Sequence, residues 1–242
     1  MKKLFKAIRN ENLEEVKSII EKNPKLVNCT STPPPKKDNG QSPLQVALKI
    51  GAFEIVDYLI ENGADVNFME AEDDDTALRR PVLHDAVSLV MVSLCYRDFS
   101  ASDKALNVVE VLLKRGADPN KLTSNGLDAL SVAIWDAEYV LDDTLYIFSW
   151  RKAKKQLIKL FDLLIENGAD FRGMVNRLHL PSDISSRSSM SIYPDDYAAS
   201  EDAADVSTVH EKRHETLVKA SVDIAARTKS VIKRYCKSRG HL

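Results

Sequence analysis

Apolar positions recur along residues 1 to 170 in short runs with helical spacing, and three of these runs close on the same tripeptide, Gly-Ala-Asp. They are Leu-Ile-Glu-Asn-Gly-Ala-Asp at Leu59 to Asp65, Leu-Leu-Lys-Arg-Gly-Ala-Asp at Leu112 to Asp118, and Leu-Ile-Glu-Asn-Gly-Ala-Asp at Leu164 to Asp170. Each reads as the end of an amphipathic helix, with Gly63, Gly116 or Gly168 in the left-handed conformation that turns the chain and satisfies the last carbonyls. A second signal lies upstream: Leu4-x-x-Ala7, Leu44-x-x-Ala47, Leu83-x-x-Ala86 and Leu130-x-x-Ala133. Leucine and alanine three apart share a helical face, and the small alanine admits a neighbouring helix. The pattern predicts an array of about four similar units of two helices each.

The units differ in length. Ala7 to Val16 and Ala47 to Val56 are each 9 residues apart, whereas Ala86 to Val109 spans 23 and Ala133 to Phe161 spans 28. The third and fourth units therefore carry about 14 and 19 extra residues between their helices, expected as insertions projecting from one face. The individuality of the molecule is expected there.

Asp38-Asn39-Gly40-Gln41-Ser42-Pro43-Leu44-Gln45-Val46-Ala47, continued by Gly51-Ala52-Phe53-Glu54-Ile55-Val56-Asp57-Tyr58-Leu59-Ile60-Glu61-Asn62-Gly63-Ala64-Asp65-Val66-Asn67, resembles the ankyrin repeat, whose units open on Gly-x-Thr-Pro-Leu-His-x-Ala. The resemblance covers residues 1 to 170 and stops there. It implies an all-α solenoid of stacked helix pairs, with residues 1–180 as the repeat array. In the third unit the opening is degraded, Arg79 standing for the turn glycine and Pro81 for the threonine. His84 occupies the motif's histidine position, where the resemblance implies a hydrogen bond from side chain to backbone between repeats rather than catalysis.

The resemblance also implies a protein partner held by hairpin tips and the first helix of each unit on a concave face. Carried over by position, the candidates are Asp38, Asn39, Gln41, Lys49 and Ile50 in the second unit, Arg80, Ser88 and Leu89 in the third, and Ser124, Asn125, Leu127, Trp135 and Asp136 in the fourth. Trp135 stands out, because a large aromatic with one polar handle is favoured at binding hot spots. The competing reading packs it beneath the insert from Glu138 to Trp150, which holds Tyr139, Tyr146 and Phe148.

Composition fits a core-forming chain: 242 residues, 44% hydrophobic and 29% charged. A net charge of −2 gives no reason to expect a nucleic-acid partner, although the charge is uneven. Glu70, Glu72, Asp73, Asp74 and Asp75 form an acidic loop, and basic residues outnumber acidic ones near the C-terminus. Neither a signal-peptide run nor an apolar stretch of membrane-spanning length is present, so the expectation is a cytoplasmic protein without membrane insertion. Cys29, Cys95 and Cys236 are odd in number and far apart, which argues for reduced thiols, with Cys95 read as a buried core residue.

Residues 181–205 are rich in Ser, Asp and Ala and lack an apolar period, and are read as an irregular linker or loop. Residues 206–242 carry a broad stripe, Leu217, Ala220, Ile224, Val231 and Tyr235, on a predicted amphipathic helix. This C-terminal extension either caps the array or docks elsewhere, including onto a second copy as a homo-oligomer.

His210-Glu211-Lys212-Arg213-His214 spells the H-E-x-x-H of zinc hydrolases, which places two imidazoles one helical turn apart. Its context is poor, because Lys212 and Arg213 flank the site of a dication and Leu217 and Ala220 stand where an extended signature needs glycine and histidine. Phosphate-cradling glycine loops and a nucleophile elbow are missing from the sequence. The reading is a non-enzymatic protein–protein interaction module with no cofactor or metal. A toxin-neutralising immunity protein or a host-directed effector is the more specific role considered, and a zinc hydrolase using His210, Glu211 and His214 the remote alternative.

Overall fold

The computed structural model describes residues 1–32, 38–71, 78–141 and 147–170, with the side chains of 138, 139, 141 and 147–151 outside that description. The chain divides into two parts, Met1–His179 and Leu180–Leu242, and the described residues all belong to the first. The linker expected at 181–205, the helix expected at 206–242, Cys236 and the His210 motif therefore lie outside the described residues.

Among the described residues the chain forms α1 (Lys2–Arg9), α2 (Leu13–Lys22), a 3-10 helix (Pro24–Asn28), α3 (Pro43–Lys49), α4 (Phe53–Glu61), α5 (Val82–Cys95), α6 (Phe99–Lys114), α7 (Ala129–Leu141) and α8 (Ile147–Glu166). No strand is present among them; Met69 and Pro81 form one isolated antiparallel bridge. Odd and even helices pair within each unit, and across units α1, α3, α5 and α7 pack in one row while α2, α4, α6 and α8 pack in another. Leu44, Leu83 and Leu130, with Ala47, Ala86 and Ala133, are buried in one continuous core between the rows. Each leucine contributes about 1.5–3 kcal/mol through burial.

The glycine stops act as the sequence predicts. Gly63, Gly116 and Gly168 have φ of +85°, +87° and +94°. In each stop the glycine N–H bonds three residues back, and the following alanine N–H bonds five residues back, to Leu59, Leu112 or Leu164. That pair of bonds closes the helix and satisfies two of its orphan carbonyls.

The turn between the two helices of a unit uses the same device. Its left-handed residue is Glu11 in the first unit, Gly51 in the second and Arg97 in the third. The bonds Asn12 N–H to Ala7 O, Ala52 N–H to Ala47 O and Asp98 N–H to Ser93 O are equivalent.

This turn shows where the insertion of the third unit went. α5 has 14 residues against 7 in α3, and α6 has 16 against 9 in α4, while three residues still join the helices of each pair. The extra residues do not form a projecting loop, as the spacing suggested; they lengthen both helices by two turns, about 10 Å. α7 and α8 are likewise long, at 13 and 20 residues. Arg97, at the displaced turn, donates from its guanidinium to Leu94 O at 3.4 Å and Val140 O at 3.2 Å, tying the raised ends of α5 and α7 together.

Successive units are also joined by asparagine side chains. The Asn28 carboxamide donates to Gly63 O at 3.0 Å and accepts from Asp65 N–H at 2.7 Å. Asn67 repeats this on Gly116 O (2.8 Å) and Asp118 N–H (2.8 Å), and Asn120 on Gly168 O (2.8 Å) and Asp170 N–H (2.6 Å). In two of these the preceding aspartate orients the clamp, since Asp65 accepts from Asn67 N–H and Asp118 from Asn120 N–H.

Asn67→Ala removes both bonds at a mid-array junction. A loss of about 1–2 kcal/mol is expected, read as a lower urea midpoint, with Asn62→Ala, whose amide bonds only within its own helix end, as the milder control. Equal effects from the two substitutions would show that the clamp contributes nothing special.

Candidate functional site

The hairpin tips between units are stacked by backbone bonds. Ala71 N–H donates to Gly40 O at 2.8 Å, and one unit on Ser124 N–H donates to Arg79 O at 3.0 Å. Gly40 has φ of +75°, and a side chain there would meet Ala71 O at 2.9 Å, so this junction demands glycine. Ser124 Oγ accepts from Arg79 N–H at 2.9 Å, and Asn125 Oδ1 accepts from the Thr123 hydroxyl, which in turn accepts from Leu127 N–H at 3.0 Å. Asp38 is buried and paired with Arg9. Gln41 is buried and Asn39 half-buried.

The α3, α5 and α7 row carries the other candidates. Lys49, Ser88 and Trp135 occupy equivalent positions along it, and Ile50, Leu89 and Asp136 the next ones. Lys49 reaches Glu70 at 2.5 Å and lies 3.9 Å from Asp85. Arg80 donates from its guanidinium to Ser88 Oγ and to His84 O at 3.4 Å, and its Nε lies 3.8 Å from Asp85. Lys49, Arg80 and Ser88 are thus brought into one network, and Asp136 feels the Arg80 charge. Ile50 stays 39% exposed, while Leu89 and Trp135 are half-buried. The insert aromatics invoked as packing for Trp135 have side chains outside the described residues.

Asp85 and Gln45 were not among the candidates, and Glu70 was read only as part of an acidic loop, although it is buried. Asp85 sits one residue after the motif histidine at a position that reads as an ordinary helix surface, yet it is buried. Burial pushes its carboxyl up, against the lowering pull of Lys49 and Arg80. Gln45 donates to Asp85 Oδ2 at 3.0 Å and Arg80 O at 2.9 Å, and its Oε1 accepts from Ser42 N–H in a capping box. Glu70 accepts from Arg80 N–H at 2.9 Å. A legible signal existed for Gln45, because it holds the motif's histidine position.

His84 makes the corresponding contact one unit on. Its Nε2 lies 3.1 Å from Leu127 O, the carbonyl equivalent to Arg80 O, so Nε2 carries the proton and donates. Nδ1 is buried without a hydrogen-bond partner. Burial lowers its pKa to about 4, so at neutral pH the ring is a structural donor. Asp136 moves the opposite way: burial pushes it up to about 6, against the lowering pull of Arg80.

A protein-family model described as ankyrin repeats (3 copies) matches residues 4–94. No curated protein matches the chain.

The His84 environment sets a pH response with a definite sign. The unfolded chain protonates near 6.5 and the folded one only near 4, so this stability is complete above pH 6.5 and drains away as pH falls toward 4. Asp136 contributes oppositely, with stability present below its ordinary 3.8 and lost as pH rises through about 6. Comparison with His84→Gln, which can reproduce the Gln45 contact, cancels that shared part. Between roughly pH 7.5 and pH 4.5 the parent should lose about 2–3 kcal/mol more than the variant in urea unfolding. Parallel pH curves would refute the buried neutral imidazole.

Proposed function

We propose, since the chain is an ankyrin-repeat protein and such repeats generally serve as protein–protein interaction modules, that this protein is a non-enzymatic binder of a protein partner. The observation that carries the reading is the row formed by α3, α5 and α7. Apolar and aromatic side chains there, Ile50, Leu89 and Trp135, stand open or half-open beside a fixed polar network. Such a face is ready-made: the Lys49, Glu70, Arg80 and Asp85 contacts hold their side chains before any partner arrives, which limits the ordering cost of association. Trp135 serves as an anchor, flanked by the polar groups that orient a partner.

The proposed contact set comprises the hairpin-tip residues Asp38, Asn39, Gln41, Arg80, Ser124, Asn125 and Leu127 with the helix residues Lys49, Ile50, Ser88, Leu89, Trp135 and Asp136. Within it the roles divide. Asp38, Lys49, Arg80, Ser88 and Ser124 fix the face through the bonds described above, whereas Ile50, Leu89 and Trp135 present area to the partner. An immunity protein or a host-directed effector is one setting for such a binder. Among the described residues no helix is long and apolar enough to cross a membrane.

The test is recovery of a stoichiometric protein partner from the source organism, followed by calorimetry with Ile50→Ser and Trp135→Ala. Each substitution should weaken binding at least tenfold, about 1.4 kcal/mol, while the urea midpoint stays near the parent value. Lys49 is unsuitable as a probe because its removal strands buried Glu70. A large fall in stability for Trp135→Ala with unaltered binding would instead make the indole part of the core.

A further inference from the structure

The polar network under the α3, α5 and α7 row leaves one carboxylate short of a donor. Glu70, Asp85 and Asp136 are 8%, 3% and 9% exposed, and the cations set among them are Lys49 and Arg80. Glu70 is satisfied by Lys49 Nζ on Oε1 and by Arg80 N–H on Oε2. Asp85 receives the Gln45 amide on Oδ2 and has Lys49 and Arg80 near Oδ1. Asp136 is different: its Oδ2 is buried and has no hydrogen-bond partner. Arg80, whose charge reaches Asp136, bonds through Nη2 to Ser88 Oγ and His84 O and turns Nε toward Asp85, and makes no hydrogen bond to Asp136 Oδ2.

A buried carboxylate oxygen without a donor is costly, and a fold that keeps one calls for an explanation. Position narrows what that is. Asp136 ends a row whose earlier members, Ile50 and Leu89, are apolar and at least partly open, and it follows Trp135 directly. A segment lying along this row would meet apolar surface first and a carboxylate last.

We propose that Asp136 is the acceptor for a lysine or arginine side chain of the protein partner, with Ile50 and Leu89 seating the apolar residues next to that cation. This rests on the binding role proposed above and adds the chemistry of the bound segment. Charge-assisted bonding in a poorly hydrated place discriminates strongly against a neutral isostere, since the carboxylate would then be left unpaired.

The experiment uses the full chain, labelled with nitrogen-15 and titrated at about pH 7.5, where the carboxylate is ionised, with two probes: N-acetyl-leucyl-arginine amide and its neutral isostere N-acetyl-leucyl-citrulline amide. The arginine probe should shift the Trp135 indole N–H resonance and the backbone amides of 135–137 with at least tenfold tighter apparent affinity than the citrulline probe. Asp136→Asn should erase that preference while keeping the parent's amide spectrum elsewhere, and Asp136→Glu should retain part of it. Equal responses to the two probes, or an unchanged arginine preference in Asp136→Asn, would overturn the assignment. Should Asp136→Asn fail to fold, the probe comparison on the parent decides alone. A partner lost by Trp135→Ala and Ile50→Ser but kept by Asp136→Asn sinks this inference and spares the binding role; arginine-selective binding without any protein partner does the reverse.

Discussion

Helices of seven to ten residues, such as α1 to α4, cannot persist alone in water, because nucleating a helix costs more than so few internal bonds return. Every other feature follows from that constraint. Each pair must bury its apolar stripe against the pair before and the pair after, so the core runs as one continuous layer between two rows of helices. The left-handed turn residues then close each helix in the fewest positions, keeping the short elements aligned. The asparagine carboxamides and the stacked hairpin tips fix the register of one unit on the next, which burial of smooth leucine and alanine surfaces leaves loosely defined.

Much of this was legible before any coordinates. Gly-Ala-Asp and Leu-x-x-Ala give helix ends and facing positions, because both signals are local and the chemistry behind them is local. The asparagine clamp was written in the same place, in Asp65-Val66-Asn67 and Asp118-Pro119-Asn120, but its meaning is carried by carbonyl and amide groups some fifty residues away. The insertions were legible in length and not in form. A count of residues between two helices cannot separate a loop from added turns, although the nearly unbroken apolar run Val87 to Leu94 is that of a helix buried on most sides.

The candidate face was less readable. Lys49 and Arg80 look like solvent-facing recognition residues by position, and both are engaged by carboxylates brought from another part of the fold. Asp85 and Asp136 have burial that only packing reveals. The resulting face separates two tasks, with charged side chains locked into structure and apolar ones left to meet a partner. Rigid recognition of this kind depends on that separation, because side chains already engaged lose little freedom on binding.

The lengthened helices of the third unit have a further bearing on how the molecule assembles. Segments of 14 and 16 residues have many more internal bonds for the same two ends than segments of 7 and 9. In a linear array, order spreads from whichever segment first survives by itself. The long helices α5 to α8 are thus the natural seed from which structure grows outward, and the small N-terminal pairs are the first to melt away from it.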